Sequence, residues 1–164
     1  LHLGMASMKL IRLSNSRRRA MVDDRDYSRV SKHNWSLNVR DGCAQACNSR
    51  IGRKSMHRFI MGAKRGIQID HRDLNRLNNR RKNLRRATNQ QNCRNKKKLR
   101  RNGKCSSRYK GVCWHQASGS WVARIRILDK RIHLGCFKTQ IAAARAYNKS
   151  AKRHFGKFAF LNSL

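Results

Sequence analysis

The sequence predicts an α+β fold in two parts: a small strand–loop–strand–helix unit, then a three-stranded antiparallel sheet packed on one helix. Three observations carry this. In GIQIDH, Ile67 and Ile69 alternate with polar neighbours, and after a polar loop the stretch NLRRAT forms a second short strand. Thr88 then opens TNQQ, a Thr-x-x-Gln pattern in which the side chains of the first and last residues satisfy free amides at a helix start. From Ser106 on, YKGVCW, SWVARIRI and RIHLGCF read as strands divided by turn residues, and QIAAARAYNKSAKRHF follows as a helix.

The 164 residues suffice for one domain, or for two small ones of about 50 to 100 residues each. The charge balance is extreme: 41 Lys+Arg stand against 7 acids, all of them Asp, for a net charge of +34. Such a surface repels itself unless polyanions neutralise it, so nucleic acid is the expected partner. A membrane partner is not expected, because the basic residues run along the whole chain rather than along one amphipathic helix. No apolar run approaches the roughly 18 to 20 residues of a membrane span. The six cysteines lack paired C-x-x-C spacing, with Cys43 and Cys47 the nearest to it. They read as free thiols of a reducing compartment rather than as disulfides or a zinc site. The expected setting is intracellular: bacterial or phage-infected cytoplasm, or an organelle such as a mitochondrion or chloroplast.

The expected order along the chain is a leader or reading-frame remnant at 1–7, a strand–helix region at 8–55, the strand–loop–strand–helix unit at 56–98, a basic linker at 99–107 and the sheet-plus-helix domain at 108–164. In the first region, MKLIRL onward reads as two short strands and a helix. Asp23 or Asp24 is expected to cap that helix, with an acidic metal site at Asp23, Asp24 and Asp26 as the less favoured alternative. Val30 and Trp35 are its apolar anchors. In the last domain Thr139 caps the helix and Gly156 ends it. Ile141, Ala144, Tyr147, Ala151 and Phe155 fall on one face and are expected to pack on the sheet.

Strand alternation divides the sheet into two faces. Trp121, Ala123, Ile125 and Ile127 are expected under the helix. Lys110, Trp114, Arg124, Arg126, Arg131 and His133 are expected on the opposite face, where basic groups and an indole suit nucleic acid.

The middle unit holds the candidate chemistry. His71 closes its first strand, Asn83 opens its second, and Asn92 lies in the first turn of its helix. Asp70 and Asn92 offer hard oxygen ligands, which suit Mg²⁺ or Mn²⁺ and not zinc. His71 is a base titrating near neutral pH, and neighbouring Arg and Lys are expected to lower its pKa and keep it neutral. Asn83 is expected to hold its ring.

Asp70-His71, LNNRRKNLR with Asn79 and Asn83, and QNCRN with Asn92 resemble the HNH endonuclease family, in its phage and intron type. MHRFIMG and VDDRDY add to that resemblance. YKGV, WVARIR, IHLGCF, AAARAYN and FGKFAFLN resemble the ethylene-response-factor (Apetala-type) DNA-binding domain. Together the two cover most of the chain from Met8, in an order found among homing-type endonucleases. The resemblance implies a ββα-metal nuclease module that hydrolyses DNA phosphodiesters, His71 acting as general base oriented by Asn83, and Asp70 and Asn92 holding one divalent metal. It also implies that the basic sheet face reads double-stranded DNA. Leu74 stands where the family commonly has Gly, so a strained or reshaped loop is expected. Cys113, Trp114 and His115 replace arginines of the plant pattern. The competing reading is an inactive, RNA-binding descendant of this family, such as an organellar ribosome subunit, which the scattered charge and the absence of Glu favour.

Overall fold

The computed structural model describes residues 7–48, 52–98 and 106–164, without the side chains of residues 47 and 48. The expected leader falls almost wholly outside these residues, as do most of the basic linker, Cys105 and the side chain of Cys47. The fold is mixed α/β, built from small antiparallel sheets and few helices, and it divides into two compact units, Leu1–Asn92 and Cys93–Leu164.

The first unit opens with a hairpin of β1 (Met8–Leu13) and β2 (Ser16–Asp23), followed by α1 (Asp24–Val30). A three-stranded sheet, β3 (Ser36–Leu37), β4 (Ala44–Asn48) and β5 (Gly52–Ser55), leads into the short α2 (Met56–Ile60). The hairpin β6 (Gln68–His71) and β7 (Leu84–Ala87) is followed by α3 (Asn89–Arg94). One apolar cluster ties these pieces together, with Ile11, Leu13, Ala20 and Val22 from the first hairpin meeting Val30, Trp35, Met56, Ile60, Ile69 and Leu84. Val30 and Trp35 are the expected anchors: both are buried, and the indole N–H donates to the carbonyl of Val30 at 2.8 Å. A buried indole needs such a partner.

The Asp23 carboxylate does not cap α1. Asp23 is the N-cap residue, but its side chain accepts from Arg80 Nε at 3.0 Å and from the Arg81 amide at 2.8 Å. A charge-assisted bond to a guanidinium outweighs a bond to a helix amide. Asp26 takes Arg81 bidentately, at 2.7 and 2.8 Å, and Arg29 at 3.1 Å, while Asp24 pairs with Lys9. These acids therefore serve as ion-pair anchors, and the alternative of an acidic metal site has no support among them. They lock the start of α1 onto the loop that precedes β7. The same loop bonds to β2 directly: Met21 N donates to Leu77 O and Asn79 N to Met21 O, both at 2.8 Å.

In the second unit β8 (Val112–His115), β9 (Ser120–Ile127) and β10 (Lys130–Phe137) form a sheet of order β10-β9-β8 under α4 (Gln140–Phe155). Thr139 caps α4, its hydroxyl accepting from the Ala142 amide at 3.1 Å, and Gly156 ends it at φ +50°. Ala143, Ala144, Tyr147, Ala151 and Phe155 are buried, whereas Ile141, in the first turn, stays 46% exposed and is not part of the packed face.

Two strand phases differ from the expectation. Trp114 pairs with Trp121, so it lies on the helix side, its ring edge-on to Trp121 at 5.1 Å. Gly111 resets the alternation: at φ +78° it makes a turn between Lys110 and β8. A Cβ there would stand 2.0 Å from the Tyr147 ring, so only glycine fits. In β10 the register slips between His133 and Gly135, a bulge that brings Gly135 opposite Ala123 and Cys136 opposite Val122. Gly135 thereby joins the helix side. Cys136 joins the open face, 3.8 Å from His133.

Candidate active site

The β6–β7 pairing sets Asp70 against Arg85 and His71 against Leu84. Alternation then splits the two candidate residues. Ile69 and His71 face one way, and Gln68 and Asp70 the other.

On the His71 side, Ile69 and Leu84 belong to the core, and the imidazole is only 6% exposed. Its Nε2 lies 3.3 Å from the Oδ1 of Asn79, which is itself fully buried. The Nδ2 of Asn79 donates to Leu77 O at 3.2 Å, so its oxygen must face the ring. This assigns the proton to Nε2 of His71 and the lone pair to Nδ1. Burial holds the His71 pKa below its usual value, and the Asn79 bond opposes the shift. The expected cause, surrounding Arg and Lys, ranks below burial: Arg76 lowers the pKa, but less than burial does.

His57, from α2, packs edge-on to His71 with ring centroids 5.0 Å apart. Burial, and then coupling to His71, pushes its pKa down to about 3, and among the described residues its buried Nδ1 has no hydrogen-bond partner.

Asn83 does not touch the His71 ring through its amide. That amide donates to Asp73 Oδ1 at 2.9 Å and to Asn78 O at 2.8 Å, and accepts from the Asp73 amide at 3.1 Å. Asn83 thus braces the loop from which Asn79 reaches the imidazole. Leu74, in that loop, has φ +64°, the left-handed conformation that a glycine would occupy without strain. The strain expected of Leu74 is therefore present in the backbone.

On the Asp70 side, the carboxylate is 5% exposed, and its Oδ2 accepts from Arg85 at 2.8 and 2.6 Å. Asn92 donates to Gln68 Oε1 at 2.9 Å, which brings α3 onto the strand face that Gln68 shares with Asp70. The reciprocal bonds of Thr88 and Gln91, at 2.9 and 3.2 Å, set the start of that helix. Among the described residues no group of three or more His, Cys, Asp or Glu is placed to hold a metal ion. An Asp and an Asn, both oxygen donors, make up the candidate pair.

Of the expected nucleic-acid residues, Arg126, Arg131 and His133 are exposed on the open sheet face and Arg124 is half-buried there. Lys110 is not on that face. It precedes β8, its Nζ donating to the carbonyls of Arg94 and Lys96 at 2.7 Å each, and burial lowers its pKa to about 8.

Sequence reasoning missed the roles of Asn79, His57, Arg80, Arg81 and Arg85. The one signal available was scarcity: in a chain with seven acids, each Asp is a strong candidate for an internal arginine partner.

The family profile described as HNH endonuclease matches residues 56–94, which contain α2, the β6–β7 hairpin and α3. APETALA2-like protein 2 of Oryza sativa subsp. indica is 40% identical over 67 residues, 40% of this chain, and the chain spans only 15% of its length. An AP2-like ethylene-responsive transcription factor of Arabidopsis thaliana is 40% identical over 57 residues, 35% of this chain and 12% of its own. A protein of Acanthamoeba polyphaga mimivirus, named an uncharacterized HNH endonuclease, is 33% identical over 141 residues. That match covers 82% of this chain and 70% of the viral protein, far more than the matched module alone, and on that ground the chain belongs to the HNH endonuclease family.

Proposed function

We propose that the chain hydrolyses phosphodiester bonds of double-stranded DNA as a homing- or nicking-type endonuclease, with His71 as its general base. The observation that carries this reading is the state of the His71 ring. Burial favours the neutral imidazole and Asn79 accepts the Nε2 proton, so in this reading Nδ1 is the nitrogen that takes a proton from an attacking water. The resulting hydroxide attacks phosphorus, the bond from phosphorus to the 3′ oxygen breaks, and that oxygen is protonated by solvent. Asn83 acts at one remove, by holding the loop that presents Asn79.

Asp70 and Asn92 are the residues that would hold one Mg²⁺ or Mn²⁺. Both supply oxygen donors: a metal would take Asp70 in exchange for Arg85, and the Oδ1 of Asn92 makes no hydrogen bond among the described residues. When bound, the metal stabilises charge on the leaving oxygen and the crowded phosphate. Arg124, Arg126, Arg131 and His133 supply the sheet's contacts to bases and phosphates, and the linker lysines add a salt-dependent grip.

The Asp70–Arg85 pair favours a second reading, in which the chain grips nucleic acid, ribosomal RNA included, without cutting it. Either reading suits an intracellular setting, whether cytoplasm or organelle. Nicking of supercoiled plasmid separates the two. Cutting that needs Mg²⁺ or Mn²⁺, stops in EDTA and falls by about 10²–10⁴ in His71→Ala supports the endonuclease. Tight binding without cutting under all of these conditions supports the second reading.

A further inference from the structure

Arg12 and Arg19 stand directly opposite each other in the β1–β2 ladder, a placement in which like charges destabilise a strand pair. Among the described residues neither pairs with a carboxylate; Asp23, Asp24 and Asp26 are committed to Arg80, Lys9 and Arg81. The ladder then slips: Leu13 pairs with Ser16, so Arg17 and Arg18 bulge from β2. Arg12, Arg17 and Arg19, with the turn residues from Leu13 to Ser16, line a hollow of about 550 Å³.

The turn that carries these arginines is prebuilt. Ser14 N donates to Trp35 O at 2.8 Å, beside the buried indole. Asn15 holds both backbone groups of Leu37, donating to its carbonyl at 3.0 Å and accepting from its amide at 2.7 Å. Three arginines lining one hollow, on a turn pinned to the core, supply the positive charge and N–H donors that phosphate takes.

We infer that this turn is a second nucleic-acid contact, seating backbone phosphates of the duplex that the proposed function requires. A phosphate between Arg12 and Arg19 removes their repulsion. The inference rests on the DNA-binding reading and is independent of whether the chain cuts.

The test is binding of a labelled duplex of about 30 base pairs by the full chain, in EDTA, across a salt series. The variants are Arg12→Gln/Arg19→Gln, the single change Arg17→Gln outside the ladder, and Lys152→Gln/Arg153→Gln as a control with equal charge loss in the last turn of α4. The hairpin pair is expected to bind about tenfold more weakly near 0.15 M salt, with a log–log salt slope shallower by about 1–2, and Arg17→Gln about threefold more weakly. The control stays within about twofold. Without DNA, the hairpin pair melts at or above the wild-type temperature, since a repulsion has been removed. Wild-type affinity and slope in the hairpin variants, or an equal loss in the control, overturn the inference while leaving DNA binding intact. A wild-type chain that binds no duplex overturns both.

Discussion

Six aspartates, Asp23, Asp24, Asp26, Asp41, Asp70 and Asp73, fall in the first unit, and one, Asp129, in the second. In the first unit they are structural anchors. Asp23 and Asp26 hold Arg80 and Arg81, Asp70 holds Arg85, and Asp73 gathers Asn75, Asn78 and Asn83. The second unit is held differently, by neutral groups. Asn162 receives the Lys110 amide at 2.7 Å, returns a bond to the Lys110 carbonyl at 3.1 Å and exchanges two more with Asn148, while the sheet packs on α4 through alanines and aromatics. One unit thus organises a polar interior around scarce carboxylates, and the other around asparagines and carbonyls, with Lys110 held by carbonyls alone. A polar interior can position an imidazole, but removal of Arg80, Arg81 or Arg85 strands a buried carboxylate.

The largest expected effect tests that contrast. Arg81→Ala leaves the buried carboxylate of Asp26 without its bidentate partner and lowers stability by about 3 kcal/mol, measured by denaturant unfolding. Asp129→Ala, on an exposed turn, leaves the midpoint where it was. Equal effects would erase the distinction between the units.

Acid gives the next effect. His57 is held near a pKa of about 3 in the folded chain and returns to about 6.5 on unfolding, so between those values the unfolded state binds more protons. Stability from this source is complete above about pH 6.5 and falls as pH drops toward 3, by about 2 kcal/mol at pH 5. Replacing His57 with Phe should flatten that part of the pH profile of unfolding.

Within the site, Asn79→Ala removes the bond to Nε2 and is expected to slow plasmid nicking up to about tenfold, the worth of one hydrogen bond, with duplex affinity unchanged. A loss of binding instead would make Asn79 a scaffold residue only. The smallest effect is at Leu74. Glycine there relieves the positive φ and, net of its greater freedom when unfolded, raises stability by about 0.5–1 kcal/mol in thermal melts.

These contrasts also divide what was legible in the sequence from what was not. The helix starts at Thr88 and Thr139 were readable because the bonding partners, Gln91 and Ala142, lie three residues on. The strand Ser120–Ile127 kept its alternation, and Trp121, Ala123, Ile125 and Ile127 do pack toward α4. Trp114 was assigned to the wrong face because the phase is reset at Gly111, and the bulge at Leu134 turns Cys136 to the open face, out of step with simple alternation. Neither change of register leaves a mark in period-two counting. Among the asparagines, Asn83 was the obvious candidate to hold His71. The choice of Asn79 depends on Met21, whose backbone bonds to Leu77 and Asn79 are made by a strand more than fifty positions away in the chain.

The sequence by itself therefore determined the polycationic character, the absence of any apolar run long enough to span a membrane, the local helix starts, the strand–loop–strand–helix order and the pairing of Asp70 with His71 along the chain. Each follows from composition or from bonds closed within a few residues. Only the tertiary structure decided that Asp70 meets Arg85, that Asp23 and Asp26 anchor Arg80 and Arg81, and that Asn79 rather than Asn83 contacts the imidazole. Those partnerships are chosen by which backbone segments the shared apolar core brings together, and several chemically equivalent arginines and asparagines compete for each until it forms.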